Sequence, residues 1–438
     1  MKPTHTTRLR FTTGHILAAM VAAATTAGAL SACSTDVDTP APAEATVTLA
    51  LNISTTDVTR GSRAGEPDGT EGPATDYEKL NQLRIIIVDG NGKVEHNRFY
   101  NYKNYYYTNV THELEVTPND TKAIYLIANE HAERGDIELD GSGAVNQTNI
   151  VDYNFNQVVV GKELPADFTD YKLSLPVGDE MINNIPMTAV YKMQIGSESK
   201  QSLSFMLNRC AVKYSFNFTN KSSAQVKISE LRIDKTATTE WFFPRVKSTD
   251  GSTIVHQLEY TSTDDDATPI ETATGKVAEW QTDINGENAF YTAHLYNSYA
   301  VPTDAAHEQY TRSVGVTVKT NSEVNASFTN SQWKPFYLLE SAYIPDGKTE
   351  QTYTVTFSVN GVELTKELPN LPRLPRNTHV VVNVTFNDHN NISCEVEMEP
   401  YRGVTLNPGF GIDPDKPDDP DKEHVKEEDY PDNNPDAD

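Results

Sequence analysis

Residues 45–65 have the sequence ATVTLALNISTTDVTRGSRAG, in which two different patterns follow one another. The first half alternates between apolar and polar side chains, and this period of two predicts a β-strand with one buried face. Its apolar positions are Val47, Leu49, Leu51 and Ile53. The second half is polar and contains Arg60 and Arg63, which predicts an exposed loop open to proteases. We therefore predict a core strand joined to the rest of the chain by a cleavable segment.

A second alternating segment lies near the other end of the chain, at residues 392–399, ISCEVEME. One face of this predicted strand is apolar and the other is almost entirely acidic. The apolar face consists of Ile392, Cys394, Val396 and Met398. A removable first strand and a last strand of the same kind predict a subunit that polymerises by strand exchange. The alternative is that the last strand completes its own second domain.

Composition favours an all-β protein, because Thr, Val, Tyr and Asn are frequent and long helix-forming blocks are missing from the sequence. At 438 residues, two domains of ordinary size are expected. The formal net charge of −26 disfavours binding to nucleic acids and to anionic lipids.

The first 32 residues have the features of a bacterial export signal. Basic residues precede an apolar run of small residues, and Leu30-Ser31-Ala32-Cys33 resembles a lipobox. Signal peptidase II cuts such a motif before a lipid-modified cysteine, here Cys33. An ordinary secretory signal with an incidental Cys33 is the alternative. The lipid is the only membrane attachment that the sequence predicts.

No catalytic, metal-binding or cofactor-binding motif is present in the sequence, so we predict neither an enzyme nor a bound cofactor. Cys210 and Cys394 lie in strand-like segments and are interpreted as buried thiols, with a disulfide as the alternative. The Tyr-rich residues 100–107 are either a glycan-stacking surface or a segment that packs on its own domain.

Several further segments predict strands, hairpins and a tail. Residues 83–88 and 353–359 are strand-like, and each precedes a hairpin turn, Asp89-Gly90-Asn91-Gly92 and Asn360-Gly361 respectively. Residues 413–438 contain 12 acidic residues, three lysines and almost no apolar side chains. Such a segment cannot bury enough surface to offset its ordering entropy, so we predict an acidic, Pro-rich, disordered tail.

These segments, taken in order, resemble the fimbrillin superfamily of Bacteroidales, the subunits of type V pili. The resemblance spans nearly the whole mature chain. The matching pieces are the lipobox at Cys33, the alternating strand followed by SRAG at residue 62, LRIIIVDGNGKV at 83, KAIYLIAN at 122, IPM at 185, LNRCAVKYSFNF at 207, FYLLES at 336, LPRNTHVVVNVTF at 374 and EVEMEPY at 395.

The resemblance implies two tandem transthyretin-like β-sandwich domains. Its expected boundaries are a lipoprotein signal peptide at 1–32, a propeptide with the detachable strand at 33–63, an N-terminal domain at 64–198, a C-terminal domain at 199–412 with the donor strand inside 391–409, and the tail at 413–438.

The resemblance also implies how the protein would act at the cell surface. An outer-membrane lipoprotein precursor would be cut by an Arg-specific protease after Arg63, or else after Arg60. Other fimbrial subunits would then be its partners, because the C-terminal strand of a neighbour would fill the vacated groove and build a fimbrium. The acidic tail leaves open whether the chain is a stalk, tip or anchor subunit. The alternative function is a monomeric surface lipoprotein that binds glycans.

Replacement of Cys33 tests the predicted lipidation. We expect Cys33→Ala to lose metabolic labelling with fatty acid and to accumulate as unprocessed precursor, because the lipid is attached to this thiol. The matched control is Cys394→Ala, which keeps two cysteines and should be labelled normally. Surface delivery of the Cys33→Ala protein at the normal level would contradict the lipoprotein prediction.

Overall fold

The computed structural model describes residues 46–55, 76–138, 143–247, 253–259, 270–273, 307–325, 334–341, 353–368, 374, 376–387 and 391–400. They include Val47, Leu49, Leu51 and Ile53, but Cys33, Arg60, Arg63 and the tail at 413–438 lie outside them.

The protein is all-β, as its composition predicts, and the described residues form no α-helix. The first strands are β1 (Val47–Thr55), β2 (Gln82–Val88), β3 (Val94–Asn101), β4 (Asn109–Val116), β5 (Asp120–Ala128), β6 (Glu133–Glu138), β7 (Gly143–Asn149), β8 (Lys172–Ser174), β9 (Glu180–Asn183), β10 (Met187–Ile195) and β11 (Lys200–Arg209). They are followed by β12 (Val212–Asn220), β13 (Val226–Ala237), β14 (Thr239–Trp241), β15 (Arg245–Lys247), β16 (Thr253–Glu259), β17 (Ile270–Ala273), β18 (His307–Val318), β19 (Ser322–Val324), β20 (Phe336–Leu338), β21 (Tyr353–Val359), β22 (Val362–Leu368), β23 (Thr378–Asn387) and β24 (Asn391–Pro400). Two short 3₁₀ turns, Asp76–Glu78 and Phe155–Gln157, complete the described elements.

The largest sheet has the strand order β3-β2-β5-β10-β11-β1-β4, with β15, β16 and β17 attached through β10. Its two end strands approach each other, since the ring Nε2 of His96 on β3 lies 2.5 Å from the carbonyl oxygen of Glu115 on β4. Nearby, the backbone N–H of Thr117 donates to Glu95 at 2.6 Å. The sheet is therefore rolled, and it encloses an apolar core on its inner side.

A second pair of sheets forms a sandwich. Strands β19, β12, β23 and β24 make one layer, with β20 on β12, and strands β18, β13, β21 and β22 make the other. The layers meet through aromatic rings, because Phe216 and Phe218 on β12 pack edge-on against Phe357 on β21 at 5.9 and 5.7 Å. Ring pairs of this geometry add stability beyond their buried area.

Both predicted hairpins are confirmed. The segment Leu83 to Val88 is part of β2, which pairs antiparallel with β3. In the other hairpin, Asn360 and Gly361 connect β21 to β22 with φ angles of 50° and 81°. Two consecutive positive φ angles are typical of a type I′ turn, which matches the twist of the strands that it joins.

The chain passes from the rolled sheet into the sandwich between β11 and β12. Only Cys210 and Ala211 separate these strands, and both are buried. The residues from Ala45 onward make up one compact unit. The division into domains at 64–198 and 199–412 stays a prediction.

Within the part of the chain that the structure describes, no helix is long and apolar enough to cross a membrane. The same residues contain no group of three or more His, Cys, Asp or Glu side chains placed to hold a metal ion. Cys210 is buried and Cys394 is partly buried, and neither forms a disulfide, so the thiol interpretation is the correct one.

The segment that follows residue 75 is held firmly by a buried ion pair, which we call the Glu78 clamp. The Glu78 carboxylate accepts from Lys213 on β12 at 3.2 Å and from the Tyr337 hydroxyl on β20 at 3.0 Å. Arg209, at the end of β11, donates to the Glu78 backbone carbonyl at 2.8 Å. The clamp thus joins the start of this segment to both the rolled sheet and the sandwich.

Removal of one partner of the clamp should be strongly destabilising. We expect Lys213→Met to lower the free energy of unfolding by about 3 kcal/mol, because the buried Glu78 carboxylate then lacks its counter-charge. Denaturant titration of the purified protein measures the change. Lys227→Met, at an exposed position on β13, is the matched control and should change little. If both variants unfold at the same denaturant concentration, the clamp contributes nothing.

Candidate functional site

The candidate site is the space that β1 occupies between β4 and β11, which we call the β1 slot. Strand β1 runs parallel to β11 and antiparallel to β4, so it is hydrogen-bonded along both of its edges. In this register Leu51 lies opposite Leu203 on β11 and His112 on β4. The predicted first strand is confirmed, and it lies inside a sheet rather than at an edge.

The inner face of β1 is one of the most completely buried parts of the molecule. Val47 is 1% exposed, and Leu49, Leu51 and Ile53 are 0% exposed. They belong to the core of the rolled sheet, together with Ile85, Ile87, Leu114, Leu126, Tyr191 and Phe205. Burial of one such side chain contributes roughly 1.5–3 kcal/mol, so the four together contribute on the order of 10 kcal/mol. This is comparable to the whole stability of a typical protein.

The outer face of β1 forms polar contacts with both neighbouring strands. The Asn52 side chain donates to Ser202 on β11 at 3.1 Å and accepts from Thr111 on β4 at 2.9 Å. The Ser54 hydroxyl, which is only 4% exposed, donates to the Phe205 carbonyl at 3.2 Å. A strand in the slot therefore needs suitable polar groups on one face as well as apolar groups on the other.

Each end of the slot has its own set of contacts. At the start of β1, Thr48 lies opposite Lys200, which forms an ion pair with Glu113 at 2.5 Å. At the other end, the backbone N–H of Thr55 donates to the Thr108 carbonyl at 2.8 Å. An exposed ion pair such as Lys200–Glu113 adds little stability. The backbone bond of Thr55 has to be replaced by any strand that takes the place of β1.

His112 is a residue of the slot that sequence analysis missed. Its ring stacks on Tyr100 with centroids 3.7 Å apart, and its Nε2 lies 2.8 Å from the Tyr102 hydroxyl. Burial lowers the pKa of His112 from 6.5 to about 4, since the charged ring would lose its hydration. The signal in the sequence was its place on the apolar face of β4, between Val110 and Leu114.

The tyrosine-rich segment packs on its own domain. Tyr100 and Tyr102 are buried in the core of the rolled sheet, and Tyr107 packs edge-on against Tyr102 at 5.2 Å. Tyr105 is the most exposed tyrosine of residues 100–107, with 46% of its surface accessible. Rings that are buried in a core cannot stack on a ligand, so this segment gives little support to a glycan platform.

The predicted donor strand lies in a different part of the molecule from the slot. Strand β24 pairs antiparallel with β23, and among the described strands β23 is its only pairing partner. Ile392 is buried and Cys394 is partly buried. Val396 and Met398 are in register with Val382 and Val380, and their side chains are outside the description. The donor role of this strand stays a prediction.

Low pH should weaken the protein through His112. Between pH 6.5 and about pH 4, His112 is protonated when the chain is unfolded and neutral when it is folded. The unfolded state then binds more protons, so stability falls as the pH falls through this window, by about 3 kcal/mol for this group. Denaturant titrations at pH 7 and pH 4 measure the loss. The control is His112→Phe, which cannot titrate and should lose correspondingly less; equal losses in the two proteins would contradict this assignment.

No protein-family model matches this chain, and no curated protein matches it in sequence. Solved structures do match. A proposed cell adhesion protein from Parabacteroides distasonis is 11% identical in sequence and superposes with a TM-score of 0.44. The match covers 82% of this chain and 98% of that protein. The tip fimbrial protein Mfa3 from Porphyromonas gingivalis, with a C-terminal truncation, is 10% identical and has a TM-score of 0.44. The match covers 81% of this chain and 100% of that protein. A fimbrial assembly protein from P. distasonis is 9% identical and has a TM-score of 0.38. The match covers 81% of this chain and 100% of that protein. Each likeness is at about one identical residue in ten and has a TM-score below 0.5, so the interpretation of the site rests on this chain's own residues.

Proposed function

We propose that this chain is a structural and adhesive subunit of a cell-surface fimbria, assembled by exchange of β1 for a strand of another copy. The observation that carries the proposal is the β1 slot. A single strand supplies four fully buried apolar side chains to a core, and the chain that leaves this strand contains two arginines before the next described residue, Asp76.

Cleavage in this segment changes what holds β1 in place. After a cut at Arg63 or Arg60, β1 remains only through noncovalent contacts and can dissociate from the body. The body keeps its hold on the downstream chain, because the Glu78 clamp acts on residues beyond the cut. An emptied slot exposes unpaired backbone groups on β4 and β11 together with the apolar core between them.

Such a slot is a strong acceptor for an extended segment. Backbone hydrogen bonds on both edges provide affinity, and pockets for alternate side chains provide specificity. In our proposal the segment comes from residues 391–409 of a second copy, whose apolar face is Ile392, Cys394, Val396 and Met398. To enter the slot, β24 of the second copy leaves its pairing with β23. Subunits linked in this way form a linear fibre, because the two parts of each contact lie at different places on the chain.

The proposal also includes the route to the surface. Export begins with the signal at residues 1–32, and the lipid on Cys33 holds the precursor at the outer membrane until an Arg-specific protease acts. The charge of −26 keeps unassembled subunits apart, since like-charged surfaces repel one another.

The two arginines provide the test. We expect Arg60→Ala/Arg63→Ala to remain a monomer after treatment with an Arg-specific protease, whereas the unchanged protein loses β1 and forms fibres that electron microscopy detects. In the double mutant β1 stays tethered, so the slot is never emptied.

A matched control separates cleavage from other effects of the substitutions. Arg60→Lys/Arg63→Lys should resist the Arg-specific protease but form fibres after brief trypsin treatment, since trypsin also cuts after lysine. Fibres from the alanine variant would show that cleavage here is not the trigger. A protein that loses β1 and still stays monomeric would contradict the proposed function itself.

A further inference from the structure

We propose that β24 of a second copy enters the β1 slot in the direction opposite to that of β1. This inference rests on the proposed function above, and it concerns a point that strand exchange alone leaves undetermined. Strand β1 is parallel to β11 and antiparallel to β4. An inserted strand of the opposite direction would be antiparallel to β11 and parallel to β4.

The four apolar positions of the slot restrict how β24 can be aligned. Only two alignments place all four apolar side chains of β24 on the four positions of β1. In the same-direction alignment Ile392 takes the place of Val47, and in the opposite-direction alignment it takes the place of Ile53. A shift of β24 by one residue would point its acidic face toward the core. A shift by two residues would leave one core position without an apolar side chain.

The same-direction alignment fails at the end of the slot. It puts Glu399 where Ser54 is, at a position that is 4% exposed and whose partner is the Phe205 carbonyl oxygen. A carboxylate there would be desolvated next to an acceptor, which is costly. The same alignment puts Pro400 where Thr55 is, and proline has no N–H for the Thr108 carbonyl.

The opposite-direction alignment avoids both of these conflicts, because neither Glu399 nor Pro400 falls at the Ser54 or Thr55 position. Asn391 replaces Ser54, and its side-chain amide can donate to the Phe205 carbonyl. Glu397 replaces Thr48 and comes to lie between Lys200 on β11 and Glu115 on β4, so attraction on one side is offset by repulsion on the other. Pro400 falls beyond Thr46, outside the paired stretch of β1, where its missing N–H has no cost.

Two other positions do not distinguish the alignments. In both alignments Glu395 takes the place of Ala50, which is 6% exposed and lies opposite Glu113, the partner of Lys200. The desolvation cost of this carboxylate is the same for the two directions. The place of Asn52 receives either Ser393 or Glu397, and both residues can accept from Thr111. The choice of direction therefore depends on the positions of Ser54 and Thr55.

The tripeptide Asn-Ile-Ser suggests a third alignment, because it occurs at residues 52–54 and at residues 391–393. Superposing the two copies of it would place Asp388 at the position of Leu49, which is 0% exposed. An unpaired carboxylate in the core excludes this register.

Disulfide cross-linking between two copies tests the direction. An acceptor copy carries Ser204→Cys, on the β11 residue that pairs with Asn52. A donor copy carries Ser393→Cys or Glu397→Cys, and both copies carry Cys394→Ala to remove the native thiol of β24. After Arg-specific cleavage, mixing and oxidation, non-reducing electrophoresis and mass spectrometry detect the mixed dimer.

We expect the Ser393→Cys donor to form a cross-linked dimer and the Glu397→Cys donor to form none. Uncleaved copies should form no dimer with either donor, because their slots are filled. A cross-link with Glu397→Cys alone would overturn the proposed direction. Fibres without either cross-link would overturn β24 as the donor while leaving strand exchange in place. Cleaved copies that form no fibres would instead contradict the proposed function.

Discussion

The structure depends on the burial of one face of β1 between two strands that are far from it in the chain. Leu49, Leu51 and Ile53 are fully buried, and the partners of β1 are β4 and β11. Strand β11 begins 145 residues after Thr55 ends β1. The rolled sheet is closed on this side by a single short segment, so a large share of its core depends on contacts that one cleavage could release.

Two features of the fold hold the rest of the protein in place independently of β1. The first is the Glu78 clamp, which holds the chain beyond the arginine-containing stretch by an ion pair that is buried on both sides. The second is the continuity of β11 and β12, which makes one wall of the slot an extension of the sandwich. A wall that is anchored in a second core can keep its place when the neighbouring strand is missing, whereas a wall supported only by β1 could not.

In the proposed strand exchange, β24 has to fit two different sites. In its own chain it is paired with β23, where Ile392 is buried and Cys394 partly buried. The same apolar spacing matches the inner face of β1. Because the side-chain period of a strand is two, any half-buried strand carries a pattern that another half-buried site can accept. The polar groups at the ends of the slot are therefore what can tell one strand, or one direction, from another.

The sequence by itself determined the features that are local. Alternation at residues 47–53 predicted a buried strand face, and Asn360-Gly361 predicted a turn, because side-chain period and turn chemistry are properties of a few neighbouring residues. It also predicted an all-β protein. It could not decide whether the tyrosines at 100–107 are exposed, and it did not reveal His112 as a neighbour of β1.

Only the tertiary structure decided which strands lie beside β1 and which polar residues meet in the core. The parallel pairing with β11, the antiparallel pairing with β4 and the bond between Glu78 and Lys213 join residues that are far apart in the chain. A side-chain period of two indicates that a strand has one buried face. Many strands in this chain share that pattern. Which of them pair is settled by the packing of the whole core, because only the assembled fold brings the apolar faces together and pairs the backbone groups of the strands at the same time.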